Sequence, residues 1–299
     1  MRGVAAIVVT YNPDLRCLGM LLDALPIEVR IVVVDNNSPP EDIEGIERLL
    51  AARKGARLLC NAHNVGLAGA INLGAAALDG EAEFLLLMDQ DSVPHPGALA
   101  ALHEAFVRLE DDGHNVGCVG PRLIDSTTGI EHGFHTMRRL RWVRVFPAPG
   151  DSRPVRCANL NGSGTLVRAR LFKRMGGLDE RLFIDHVDTD WSFRVLDAGL
   201  GLFGIPDAVF DHSMGERGLR FWFMGWRVWP VRSPKRHYFL FRNAVKLMRR
   251  SHVPLIWKCW AAVKLVATLA LHALCGIRRG TQVRHMLRGL KDGLRASGE

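Results

Sequence analysis

Five aspartates and one histidine carry most of the chemistry open to this sequence. Asp89 and Asp91 stand one residue apart in Asp89-Gln90-Asp91-Ser92, directly after the apolar run Phe84-Leu85-Leu86-Leu87-Met88. Carboxylates at that spacing are hard oxygen ligands, the kind that hold Mg²⁺ or Mn²⁺ while substrate phosphates fill the remaining positions. The same four residues would equally begin a loop and cap a helix. A second group, Asp185, Asp188 and Asp190, runs into Trp191-Ser192-Phe193-Arg194. Asp185 and Asp188 are three apart and share a face if the segment is helical, and a carboxylate at a helix start suits a general base. N-capping would account for one of the three and leave the others unexplained. His212, within Asp211-His212-Ser213, adds an imidazole. A lone histidine is more often structural, yet imidazole is a frequent companion of carboxylates at Mn²⁺.

Such groups need elements that bring them together. Ala5 to Thr10 reads as a first strand, with Asn12 as N-cap and Pro13 at the first position of a helix carrying Leu15, Leu18, Leu21 and Leu22. Val29 to Val34 is a second strand, ended by Asp35-Asn36-Asn37-Ser38 and followed by a helix through Ile43, Ile46, Leu49 and Leu50. Ala56 to Cys60 is a third, and the small-residue stretch from Asn64 to Gly74 opens another helix before the strand that ends at Asp89. This alternation predicts an α/β fold, a Rossmann-like mostly parallel sheet with helices on both faces. Ligands in such sheets gather at the strands' carboxyl ends. There the chain offers Thr10, Tyr11 and Asn12, then Asp35, then Asn64 with Gly66, Ala68 and Gly69, then the paired aspartates. The set suits a base stacked on an aromatic, an imide N–H held by a carboxylate and a diphosphate held through metal. Taken singly, Tyr11 would equally be a core aromatic and Asp35 a helix cap. The Gly-x-Gly-x-x-Gly fingerprint is missing after strand one, which disfavours a nicotinamide dehydrogenase.

Farther on, Asn115 to Gly120 reads as a strand, residues 138–156 as a basic, proline-bearing solvated loop, and Asn161-Gly162-Ser163-Gly164 as a tight turn or a close approach to ligand. Gly201 to Ile205 and Ala208 to Phe210 read as two short strands. The 299 residues are 48% hydrophobic, ample for a large core. The six cysteines are scattered without a Cys-x-x-Cys pair, as expected of reduced thiols in the cytosol. The apolar N-terminus runs straight into Tyr11-Asn12-Pro13 and reads as a strand, not a targeting segment.

The net charge of +8 hides a division along the chain. Residues 215–299 hold 18 Lys and Arg against 3 Asp and Glu, whereas residues 1–214 hold 21 against 28. Within the basic third, Leu255 to Ile277 is apolar and close to the roughly 20 residues of a membrane span. Lys258, Lys264 and His272 interrupt it, which favours an in-plane interfacial helix; a buried helix or an oligomer interface is the competing reading. The company of Trp and Leu points a basic tail toward an anionic membrane surface and away from nucleic acid. Upstream, Arg236 and Arg242 open an amphipathic helix and would grip a diphosphate or a lipid phosphate, or serve as surface charge.

Four segments together, Val8-Val9-Thr10-Tyr11-Asn12-Pro13, Val33-Val34-Asp35-Asn36-Asn37-Ser38, Asn64-Val65-Gly66-Leu67-Ala68 and Asp89-Gln90-Asp91-Ser92, resemble family 2 glycosyltransferases of GT-A fold. Asp-Gln-Asp-Ser looks especially like the bacterial rhamnosyltransferase subgroup. The resemblance implies a GT-A catalytic domain over residues 1–215, with a donor half to about residue 120 and an acceptor half beyond it, and a helical extension over 216–299. It implies donor binding by Thr10, Tyr11, Asn12, Asp35, Asn64, Gly66, Ala68, Asp89 and Gln90, and metal binding by Asp89, Asp91 and His212. Alignment of Ser192-Phe193-Arg194 places the catalytic base at Asp188, with Asp185 as second choice and Val187 where many members carry Glu. Asp190, Trp191, Arg236 and Arg242 fall on the acceptor or phosphate side. The implied activity is inverting, Mn²⁺- or Mg²⁺-dependent transfer of L-rhamnose from dTDP-rhamnose to a saccharide, free or lipid-linked. It would serve bacterial O-antigen or related cell-surface polysaccharide assembly, on the cytoplasmic face of the membrane. Another dTDP- or UDP-sugar is the alternative donor. A nucleotidyltransferase would need basic triphosphate-gripping residues where Tyr11-Asn12-Pro13 stands, and a non-catalytic membrane-docking protein of the same fold would turn over no donor.

Overall fold

The computed structural model describes residues 3–139, 141–212, 218–222, 226–230, 232–275 and 279–295. The chain divides into two compact units, one formed by Met1–Arg139, Val143–Phe183 and Val187–Ser213, the other by Leu140–Trp142, Ile184–His186 and Met214–Glu299.

The first unit is built on Val4–Thr10 (β1), whose seven residues are all buried. Arg30–Asp35 (β2) follows Leu15–Ala24 (α1), and Arg57–Cys60 (β3) follows Pro40–Ala51 (α2). Gly66–Ala77 (α3) leads to Phe84–Asp89 (β4), after which Ser92–Pro94 (β5) and Ala98–Asp111 (α4) complete the donor half. The four strands lie parallel in the order β3-β2-β1-β4. Strand alternation divides the apolar residues between two faces. Val4, Ala6 and Val8 join Leu18 and Leu22 of α1, Ile46 of α2 and Leu102 and Phe106 of α4 in one core. Ile7 and Val34 point the other way, toward α3. A Cβ on Gly74 of α3 would stand 2.5 Å from Ile7 Cγ2, so glycine lets that helix lie directly on the sheet.

Val116–Asp125 (β6), Phe134–Arg138 (β7), Arg141–Val145 (β8), Val155–Cys157 (β9), Thr165–Arg168 (β10), Ala169–Arg174 (α5), Val187–Asp197 (α6) and Gly201–His212 (β11) follow. β10 runs antiparallel between β4 and β6, β11 is parallel to β6, and β5 and β9 pair antiparallel with β11, so this half is mixed. The family's α/β reading thus holds, with three corrections of detail. Residues 201–212 form one strand, not two, because a register shift between Ile205 and Val209 absorbs Pro206 without ending the pairing. Residues 138–156 are not all loop, since β8 and β9 lie there. The first helix is capped by Asp14, whose carboxylate accepts from Arg16 N and Cys17 N, while Asn12 sits at a left-handed φ of 47° outside the helix.

The second unit is mainly helical. A two-stranded antiparallel ladder, Gly218–Trp222 (β12) with Trp226–Pro230 (β13), precedes Pro234–Met248 (α7), Leu255–Cys275 (α8) and Arg279–Arg295 (α9). Ser233 caps α7 and Pro234 occupies its first turn. Gly289 and Gly293 let α9 approach α7 closely: a Cβ on either would stand 2.4 Å from Tyr238 O or 2.7 Å from Arg242 O. Asp185 and His186 hold left-handed φ values of 61° and 62°. The buried Asn243 amide secures that strained backbone, donating to Ile184 O at 2.7 Å and Asp185 O at 2.9 Å.

Candidate active site

Register brings the strand ends of the first unit to one level: Thr10 pairs with Asp35, Asp35 with Cys60 and Val9 with Asp89. Asp35 is fully buried at that edge. Its oxygens accept from Thr10 Oγ1 at 2.8 Å, Ser38 N at 2.7 Å and Ser38 Oγ at 2.6 Å, and Ser38 Oγ in turn accepts from Asn12 N at 2.8 Å. The expected base-binding carboxylate is therefore the knot that ties the loops after β1 and β2. It also borders a pocket with Asn37, Ser38, Cys60 and Asn61. A second knot links Asn61, Asn36 and Gly66, with Asn61 Nδ2 donating to Asn36 Oδ1 at 3.0 Å and Asn36 Nδ2 to Gly66 O at 3.2 Å. Asn64 Oδ1 accepts from Gly66 N at 2.9 Å. Gly66 has φ +83°, and a Cβ there would meet the Phe183 carbonyl oxygen at 2.6 Å. Gly66 and the fully buried Ala68 thus let α3 pack closely at this edge.

Tyr11 remains 49% exposed, its ring available for stacking. Its peptide is clamped by the middle residue of Asp89-Gln90-Asp91: Gln90 Oε1 accepts from Tyr11 N at 2.7 Å, and Gln90 Nε2 donates to Tyr11 O at 3.3 Å. Gln90, expected at the donor, holds the residue that would touch it.

The β5–β11 ladder pairs His212 with Ser92, which places the imidazole beside Asp91 across 120 residues of chain. Asp89, Asp91 and His212 each offer a ligand atom, and these atoms all lie within 4.8 Å of one another. His212 Nδ1 is 3.5 Å from Asp91 Oδ1 and shares a 2.6 Å hydrogen bond with the buried Ser92 Oγ. Two hard oxygen donors and an oriented imidazole fit a divalent cation. Ser92 fixes the orientation of the imidazole through its Nδ1.

Asp188 begins α6, half-buried, with Oδ1 accepting from Thr189 N at 2.8 Å. The turn before β10 reaches both carboxylate groups. Ser163 Oγ accepts from Asp89 N at 3.1 Å, and a Cβ on the adjacent Gly162 would stand 3.7 Å from Asp188 Cβ. Asp188 thereby lies one short turn from the metal-type cluster, and it lines a cavity with Asn161, Gly162 and Trp191.

The remaining expectations fare differently. Asp190 is fully buried, its carboxylate accepting from Arg194 Nε at 2.9 Å while Arg194 donates to Met175 O and Gly177 O. Trp191 is 3% exposed and donates to Cys118 Sγ at 3.3 Å. Both side chains are interior to the first unit, and of the two it is Trp191 that borders the cavity beside Asp188. In the second unit, Asp185 is ion-paired with Arg232 and Arg236. Burial works to raise its carboxyl, but the two guanidinium groups outweigh this and hold it below the usual carboxylate range. It is a buried ion-pair centre, not a base awaiting a proton. Arg236 is one of its partners, and Arg242 donates to Asn243 Oδ1 and stacks 4.8 Å from the Phe239 ring. Sequence reasoning passed over Ser38, Asn36, Asn61 and Ser163. The family-like run Asp35-Asn36-Asn37-Ser38 and the small-residue run Asn161-Gly162-Ser163-Gly164 contained three of them, and nothing signalled Asn61.

Residues 6–176 match the model of the family described as glycosyl transferase family 2. Over 98% of its length the chain is 30% identical to a protein of Shigella flexneri named dTDP-rhamnosyl transferase RfbF, covering 96% of that protein. It is 28% identical, over 71% of this chain and 76% of the relative, to a Mycobacterium tuberculosis protein named N-acetylglucosaminyl-diphospho-decaprenol L-rhamnosyltransferase. Among solved structures, it is similar to S. aureus TarS 1–349 in complex with UDP-GlcNAc, with a TM-score of 0.61, 16% identity and coverage of 100% of this chain and 82% of the other. The mannosyltransferase PcManGT from Pyrobaculum calidifontis, in complex with GDP-Man and Mn²⁺, aligns with a TM-score of 0.58 and 18% identity, covering 100% of this chain and 89% of the other. At such identities these structures bear on the fold alone.

Proposed function

The chain belongs to glycosyl transferase family 2, and on that premise we propose that it transfers L-rhamnose from dTDP-rhamnose, with inversion, to a hydroxyl of a saccharide acceptor. The observation that carries the reading is the convergence of Asp89, Asp91 and His212 at the strand ends that also hold the exposed Tyr11 ring. Near-full-length similarity to a protein named for dTDP-rhamnosyl transfer selects the sugar. The acceptor is a lipid-linked saccharide at the cytoplasmic face of the membrane. This reading rests on the name of the mycobacterial relative and on the basic, apolar character of the second unit.

Tyr11 stacks on the thymine, held at its height by Gln90. Asp89 and Asp91, with His212 held beside them by Ser92, would hold Mn²⁺ or Mg²⁺, and such a cation would supply charge to offset that developing on the departing diphosphate. Asp188 accepts the proton of the acceptor hydroxyl as that oxygen attacks the anomeric carbon, on the side opposite the leaving group. The chain contributes mainly by positioning and by fixed charge.

The test is a panel of dTDP-, UDP- and GDP-sugars incubated with the full chain and Mn²⁺ or Mg²⁺, read as release of nucleoside diphosphate. Release from dTDP-rhamnose above all others is the expected result. Turnover of a different donor with dTDP-rhamnose untouched would replace the sugar assignment, and no turnover of any donor would favour the non-catalytic reading.

A further inference from the structure

Among the described residues, one face of α8 is left exposed. Trp257, Ala261, Leu265, Thr268 and His272, spaced four, four, three and four apart, are buried. On the other side Leu255, Val263, Val266 and Leu274 are each between 68% and 73% exposed, and apart from Cys259 and Lys264 the exposed positions between them are alanine. A 21-residue helix with one side sealed and the other almost uniformly apolar leaves a stripe about 30 Å long in contact with water.

We propose that this face is a membrane-docking surface on which α8 lies in the plane of an anionic bilayer, with its exposed valines and leucines in the acyl boundary. The neighbouring helix supplies the complementary charge. α9 packs against α8, and Arg284, Arg288, Lys291 and Arg295 fall with the exposed Leu287 and Leu294 on one helical face. Cations interspersed with leucine suit lipid headgroups, where long side chains reach the phosphates while their stems stay in the apolar layer.

Two competing occupants fit less well. By length and composition Leu255–Leu274 is apolar enough to cross a membrane. Crossing, however, would strip Thr268 and His272 from their buried places and set Lys264, the tenth residue of 21, near the bilayer centre, where a charge is costly. In the plane, Lys264 reaches the surface, as its position 4.7 Å from the Trp260 ring already allows. A second copy of this chain docked through the same face would be two-fold symmetric. The mid-helix Lys264 of each copy would then enter one dry interface beside its twin.

The proposal is independent of donor and acceptor, because lipid binding is read without turnover. The full chain is floated with vesicles of phosphatidylcholine alone and of phosphatidylcholine mixed with phosphatidylglycerol. Co-flotation with the anionic vesicles, diminished by added salt, is expected. Val263→Asp combined with Val266→Asp should reduce the floated fraction at least tenfold, and Arg288→Gln combined with Lys291→Gln should weaken binding to anionic vesicles only. Circular dichroism and dTDP binding of the variants confirm the fold, which side chains this exposed should not disturb. Membranes carrying the wild-type chain should release it in alkaline carbonate. A chain that stays unbound, valine variants that float as wild type, or retention in carbonate would each overturn the proposal. So would a lipid-free dimer that the valine variants turn into monomer.

Discussion

Gln90→Ala tests the arrangement at its least expected joint. The side chain makes two hydrogen bonds to the Tyr11 peptide, one of good length at 2.7 Å and one long at 3.3 Å. Neutral bonds contribute roughly 0.5–1.5 kcal/mol each, and solvent access with the longer bond's geometry places the pair near 1–2 kcal/mol. That energy holds the Tyr11 loop in the stacking position, so without it donor binding must order the loop at its own expense. The apparent donor affinity should then fall by about 5–30-fold, as for a binding-competent state that is only partly populated. Initial-rate kinetics with varied dTDP-rhamnose, together with calorimetric titration of dTDP, separate the outcomes. KM and Kd should rise in parallel, with kcat and Mn²⁺ affinity close to wild type. An unchanged KM, or a fall in kcat alone, would refute the argument that Gln90 acts through Tyr11.

Asp188→Asn should lower kcat by about 10²–10⁴-fold, the range for a lost general base, while calorimetry shows dTDP binding intact; wild-type rates would remove Asp188 from the mechanism. Ser92→Ala frees the His212 ring and should weaken Mn²⁺ binding by about 10–100-fold in a paramagnetic-resonance titration, the usual cost of losing an outer-shell contact. The second unit should be acid-sensitive. Burial lowers His237 to about 4. Above the ordinary histidine value near 6.5 both folded and unfolded forms are neutral and nothing is lost. As pH falls from about 6.5 to about 4 the unfolded chain takes up the proton first, so about 3 kcal/mol of stability disappears across that window. His237→Gln should flatten the corresponding slope of Tm against pH.

Much of the scaffold was legible because it rests on local patterns. Val4 to Thr10 and Phe84 to Met88 are apolar runs too short for helices, and turn residues separate them from helices with regular leucine spacing. Asp14 displaced Asn12 as the cap because two residues of equal capping propensity lie within one turn, and only backbone geometry chooses between them. The partners of Asp190 and Trp191 were hidden for a related reason. The family resemblance placed them on the acceptor side, and sequence cannot show that a buried Asp is satisfied by an arginine one helical turn away, or a buried indole by a thiol 73 residues away.

What the sequence determined by itself was the alternation of strand and helix, the placing of Tyr11, Asp35 and the paired aspartates at strand ends, and the likeness to a transferase family. These follow from short-range periodicity and from motifs read along the chain. Tertiary structure alone decided what each group does there. The β5–β11 register carried His212 to Asp91, the turn at Gly162 and Ser163 joined Asp188 to Asp89, and the hydrogen bonds of Thr10 and Ser38 made the buried Asp35 a knot between two loops. Long-range pairing and solvent exclusion are properties of the packed chain, and no local pattern in the sequence encodes their outcome.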